Sequence, residues 1–297
     1  MKNRIRLLGY IFYISFSVFQ LKAETNNKFD AKEVSLKETS LALEVLSDSI
    51  FNTRYNYVLK LYQKEAHIEA LKQALSLQDL IQEQEVSHLF LIKILIGDIY
   101  DKVNNYERAL FSYKNALLIL SKTKLDATSV GLQRSKDLAK IYLKLGISYQ
   151  KSAKKDSATY YLEKIEALPS LNTEIKKYKV RAFGNLAGIY QLDSLFDKAL
   201  IYANRAIQMN REVNNRISEA IATGNLGSIY LSQEKFELAK ETYLIGIELL
   251  KNQNNQNVVR IKADLYYNLA WAMRNLKEYE AYDFQELSYD IEDNIRD

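Results

Sequence analysis

From about residue 50 onward, apolar side chains return every third or fourth position, the spacing that gathers them on one face of an α-helix. The pattern predicts helical pairs over 50–84, 87–121, 135–168, 174–210, 215–251 and 258–295. Ahead of them, Val34, Leu41, Val45 and Leu46 predict one more helix over 31–48 that shields the first pair. The segment KTKLDATSVGLQR, 122–134, breaks the rhythm and is expected to be a longer loop or an extended helix end; the polar run 252–257 is expected to be a turn. One proline and nine glycines leave little of the turn chemistry that many short strands would need, so the chain reads as all-α.

One phrase recurs along these pairs. It reads LIGDIYDKVNNYERALFSYKNAL, LGISYQKSAKKDSATYYLEKI, LAGIYQLDSLFDKALIYANRAI and LGSIYLSQEKFELAKETYLIGI, with a weaker copy, LAWAMRNLKEYEAYDFQELSY. Aligned on Tyr100, Tyr149, Tyr190, Tyr230 and Met273, the copies advance by 49, 41, 40 and 43 residues, and an earlier copy is expected around Leu61 and Ala70. The phrase resembles the tetratricopeptide repeat: Leu-Gly, two residues and Tyr on a first helix, then aromatic, Ala, aromatic and Ala on a second. Ile96, Gly97, Tyr100, Tyr106, Ala109, Tyr113 and Ala116 carry it best, followed by Leu226, Gly227, Tyr230, Phe236, Ala239 and Tyr243. The resemblance implies a right-handed superhelical solenoid of antiparallel helix pairs over 50–297. The spacing exceeds the family's usual ~34 residues, and is similar to the long-helix variety of kinesin light chains and bacterial peptide-sensing regulators. The last copy has Tyr282 where its first alanine belongs and is expected to be a degenerate cap.

The residue types agree with that packing. A glycine inside a helix costs about 1 kcal/mol relative to alanine, which makes sense where a neighbouring helix must come close. Gly97, Gly146 and Gly227 are such points on the first helices, and Ala109, Ala158, Ala199 and Ala239 are expected to be theirs on the second. The 22 tyrosines, Tyr100, Tyr149, Tyr190 and Tyr230 among them, are expected to fill the space between hairpins with their hydroxyls at the wet edge.

Composition changes the picture at the N-terminus. Lys2, Arg4, Arg6, the apolar run Leu7–Leu21 and Ala23 have the layout of a secretory signal, with cleavage expected after Ala23, then a leader and helix over 24–49. An uncleaved anchor is the alternative; otherwise no membrane span is expected. The chain is thus expected in the periplasm or secreted. Four of its 41 Lys and Arg lie before residue 24; the remaining 37 balance 37 Asp and Glu, so no nucleic-acid footprint survives. No cysteine is present, which excludes disulfides, thiolate metal sites and a cysteine nucleophile.

Candidate chemistry is that of binding. His67 and His88 stand 21 residues apart without ligand-rich companions, and no phosphate loop, GxSxG or HExxH occurs, so no catalysis, cofactor or metal is expected. In proteins of the resembled family the first helices line a concave groove, and the residue before the consensus leucine faces it. Asn185, Asn225 and Asn268 hold that place here, and would grip a peptide backbone or simply be solvated. Arg181 and Lys144 would add charge for a carboxylate, and Trp271 would be a groove anchor or a plug for the end of the stack. The acidic last segment reads as a solvating cap or a docking tail. The resulting expectation is a non-catalytic scaffold for a protein or peptide partner; the other reading is a stand-alone or truncated sensor module of a bacterial histidine kinase or transcriptional regulator.

Overall fold

A computed structural model describes residues 47–82, 85–122, 129–170, 172–253 and 255–296. The expected signal segment and all but the end of the expected leader helix lie outside the described residues. The chain divides into two compact units at Phe51 and Asn52, and only the last residues of the first are described. The described residues form twelve helices and no strand. They are α1 Asp48–Gln63, α2 His67–Leu80, α3 Val86–Lys102, α4 Tyr106–Lys122, α5 Ser129–Lys151, α6 Lys155–Glu166, α7 Thr173–Leu192, α8 Phe196–Glu212, α9 Arg216–Ser232, α10 Phe236–Leu249, α11 Gln256–Asn275 and α12 Ala281–Arg296. Of the break at 122–134, Ser129 onward already belongs to α5, and 123–128 lie outside the described residues. Pro169 follows three residues after α6 ends, where a proline can no longer interrupt the helix.

Each first helix ends in the same way. The amide of Asn105 donates to the Tyr100 carbonyl at 2.9 Å, and Lys154, Leu195, Lys235 and Glu278 do the same to Tyr149, Tyr190, Tyr230 and Met273. The residue before each of those amides is left-handed: Asn104, Ala153, Ser194, Glu234 and Lys277 have φ between 57° and 62°. This is the six-to-one closure that ends a helix and reverses the chain, so the repeat's tyrosine position marks the turn. Asn172, Asn215 and Asn255 begin the next first helices, their side chains accepting from the amides of Ile175, Ser218 and Val258.

The pairs stack in chain order. First helices also touch the next first helix (α5 on α7, α7 on α9, α9 on α11), whereas second helices have no comparable contact with one another. The stack therefore curves with its first helices on the inside. Within a pair, glycines admit large buried side chains of the partner helix. A Cβ on Gly97 would stand 2.4 Å from Tyr113, one on Gly146 2.7 Å from Leu162 and one on Gly227 2.8 Å from Tyr243. Ala109, Ala158, Ala199 and Ala239 are wholly buried. Tyr113 and Tyr243 thus fill space inside a hairpin, where the sequence had suggested space between hairpins. The stacked pairs Tyr149–Tyr161 and Tyr190–Tyr202 lie inside hairpins as well.

Tyrosine hydroxyls do the joining between hairpins. Tyr190 donates to Glu163 and Tyr202 to Glu166, both at 3.0 Å, so each reaches back to α6 from the following pair. Ser148 and Lys151 of α5 likewise hold Asp101 of α3. Burial, then the Glu163 carboxylate, pushes the Tyr190 hydroxyl up to about 12; burial, then Asp98, does so at Tyr62. A phenol in the unfolded chain ionises near ~10, so above that pH the unfolded chain sheds protons the folded one keeps. The contribution is complete below ~10 and falls away as pH rises toward the folded values. Urea unfolding should therefore give a flat midpoint up to about pH 9.5 and a declining one from there to about pH 12, with a shallower decline in Tyr190→Phe. A midpoint that holds steady through pH 11.5 would contradict this.

Candidate functional site

The inner surface opens into a groove of about 330 Å³ between α7 and α9. Its floor is Gly184 and Gly188, one turn apart on α7; its walls carry Arg181, Asn185 and Asn225. The helix spacing of Arg181, Gly184, Asn185 and Gly188 places all four on one side of α7. Gly184 and Gly188 differ from the packing glycines: a Cβ at Gly188 would meet nothing within 4 Å, and one at Gly184 only the Asn225 amide nitrogen at 3.8 Å. No neighbouring helix requires their smallness.

The polar groups have bonding capacity to spare. Asn185 Nδ2 donates to the Arg181 carbonyl at 2.7 Å, which fixes its amide and leaves Oδ1 as an acceptor. The Asn225 side chain is exposed and makes no hydrogen bond among the described residues. The Arg181 guanidinium is exposed and has no ion-pair partner there. A bare backbone floor flanked by one cation and two amides can admit another main chain closely and bond to it.

Family models for the tetratricopeptide repeat match residues 178–252, which contain this groove, and residues 92–119. The chain carries tetratricopeptide repeats over these residues. It is similar to Protein KINESIN LIGHT CHAIN-RELATED 2 of Arabidopsis thaliana, 27% identical over 174 residues, which is 52% of this chain and 25% of that protein. The chain thus spans about a quarter of that relative's length. Among solved structures it is similar to BtubC (BKLC) from P. vanneervenii, with a TM-score of 0.62 and 15% identity over 78% of this chain and 90% of that one. It is also similar to apo RapI (0.58, 16%, covering 69% and 70%) and to a Rap protein complexed with Competence and Sporulation Factor (0.53, 16%, covering 84% and 79%). At these identities the likeness is one of fold.

The repeat protein distributes the remaining sequence-derived candidates outside this groove. Lys144, at the register of Asn185 one pair earlier, donates to Asp98 at 2.8 Å, so its charge is already matched inside the stack. Asp98 also accepts from Tyr113 at 2.6 Å. Asn268 follows the pattern of Asn185, its Nδ2 on the Asp264 carbonyl at 2.7 Å, one pair beyond the groove. Trp271 is half exposed under the Arg274 guanidinium, 5.1 Å from its ring centroid. Its register is that of Gly188. His67 packs on Tyr62 and His88 lies 3.9 Å from Glu85; no cluster of three metal-capable side chains occurs among the described residues.

Two features escaped the sequence reading. Gly184 and Gly188 stand in the phrase FGNLAG, and a second glycine one turn from the first was their only signal. A larger, more open cavity of about 850 Å³ lies beside α10, where Leu244 and Ile245 flank the buried Glu219 and its partner Arg211, 2.6 Å apart. That pairing spans a turn between repeats and follows no consensus position.

The end of the stack carries a correction. Met273 aligned with Tyr230 puts Tyr282 at the buried alanine's place, but α12 begins only at Ala281, and Ala281 is the residue that is buried, at 2% exposed. The second helix has slipped by one residue, and since a residue turns a helix by about 100°, Tyr282 swings outward to 64% exposed.

Proposed function

We propose that this chain is an exported, non-catalytic scaffold that holds an extended peptide segment of a partner in the groove between α7 and α9. The observation that carries the reading is the pair Gly184 and Gly188. Each glycine costs about 1 kcal/mol in a helix, and neither serves packing, so their use lies in what approaches from outside. Arg181 supplies a place for a carboxylate of the segment, while Asn185 and Asn225 bond its main chain. Each such neutral bond contributes about 0.5 to 1.5 kcal/mol net, so several together, and not one alone, set the affinity. The layout of residues 1–23 supports export. The sensor reading uses the same groove, with occupancy passed to an output segment.

The test starts from peptides selected on the protein from a random display library. Changing Asn185 and Asn225 together to alanine should weaken the selected peptides at least tenfold, and Arg181→Glu should select against those with acidic residues. Trp271→Ala, outside the groove, should leave them unchanged. Peptides that bind all three variants as they bind the parent would remove the groove from the function.

A further inference from the structure

The exposed side of the last helix pair is built from positions that every earlier pair uses to hold the next. On the first helices, Asp98 meets Lys144, Gln191 bonds to Ser228, and Gly224 lies against Leu265. On the second helices, Lys240 pairs with Glu278, Lys114 sits over Tyr149, Glu163 and Glu166 receive Tyr190 and Tyr202, and Ile207 packs with Ala222. In the last pair those registers fall on Tyr267 and Trp271 of α11 and on Tyr282, Glu286 and Tyr289 of α12. The four aromatics are 46%, 47%, 64% and 48% exposed. Tyr267 and Trp271 are bulkier than any residue at their registers in the pairs before, which are Ile94 and Asp98, Leu143 and Ile147, Gly184 and Gly188, Gly224 and Ser228.

We infer that this aromatic face is a self-association surface, and that its occupant is the same face of a second copy of this chain. The face matches itself under a two-fold axis that lays α11 of one copy antiparallel on α12 of the other. Measured from their shared turn, Tyr267 stands eight residues along α11 from Asn275, and Tyr289 eight along α12 from Ala281. At 1.5 Å per residue both rings lie about 12 Å from the turn and meet across the axis. Trp271 and Gln285 correspond in the same way, four residues in. Charge completes the match. Arg274 near the turn and Glu286 further along α12 are both exposed, and neither has an ion-pair partner among the described residues. Side chains lean toward the N-terminus of their own helix, so Arg274 leans away from the turn and Glu286 toward it, each to the other in the facing copy. The face of two such helices is on the order of 500 Å² per copy, at the small end for a specific interface, and the dimer is accordingly weak, dissociating in the micromolar range.

Sedimentation of the chain from about 1 to about 200 µM tests this, with the fluorescence of Trp271, the sole tryptophan, read on the same samples. The parent should pass from one-chain to two-chain mass while Trp271 emission shifts to the blue. Tyr267→Glu, with an unchanged helical spectrum, should stay at one-chain mass throughout. Arg274→Glu should weaken association at least tenfold, and Arg274→Glu with Glu286→Arg should restore it. A parent that stays single at the highest concentration overturns the inference. So does association that survives Tyr267→Glu, grows beyond two chains, leaves Trp271 emission unmoved or is not restored by the charge exchange.

Discussion

Tyr113→Ala is expected to lower the unfolding free energy by about 3 to 5 kcal/mol, the range for emptying a buried aromatic site. Tyr113 is 1% exposed, its ring occupies the notch left by Gly97, and its hydroxyl donates to Asp98 at 2.6 Å. Truncation opens a cavity between α3 and α4, and it also removes one of two donors from a carboxylate that joins α3 to α5 through Lys144. Because a repeat array transmits stability only between neighbours, the loss should appear in hydrogen exchange of α3 to α6 before it appears in α9 to α12. Gly97→Ala separates the packing from the hydrogen bond. Alone it should destabilise by about 1 to 3 kcal/mol, because a Cβ there overlaps the ring; in the Tyr113→Ala background it should be neutral or favourable. Additive effects in urea unfolding would show that glycine and ring do not share one space.

Gly188→Leu should abolish peptide binding, with a loss of at least a hundredfold, about 2.7 kcal/mol, while the protein gains stability. Nothing lies within 4 Å of a Cβ at Gly188, and replacing glycine in a helix contributes up to about 1 kcal/mol of stability. The leucine then stands in the groove floor where a partner's main chain would lie. Gly97→Leu is the contrasting case and should unfold its repeats. Isothermal titration with a selected peptide, beside thermal unfolding, reads both effects. Undiminished affinity with Gly188→Leu would show that the groove floor is not in contact with the ligand.

The stack itself was legible from the chain. Gly97 with Tyr113, Gly146 with Leu162 and Gly227 with Tyr243 recur at one spacing because each hairpin faces the same geometric problem. Helix ends were legible to within a few residues, since Asn172 and Asn255 cap with their own side chains. The site was legible in part. Asn185, Asn225 and Arg181 come together around one cavity, while Lys144, at an equivalent register, is taken up by Asp98. A register tells which way a residue points and says nothing of which charge a neighbouring repeat will set against it.

Local periodicity and the recurrence of small residues opposite large ones thus determined, without coordinates, that the chain is a run of stacked helix pairs with an inner and an outer side. Both are properties of a single helix and its hairpin partner, written in adjacent residues. Tertiary structure alone decided which glycines pack and which stand open, that Ala281 and not Tyr282 is buried, and that four aromatics end on an uncovered face. These depend on how close the next pair comes, a distance set by contacts across some forty residues of sequence that no local pattern encodes.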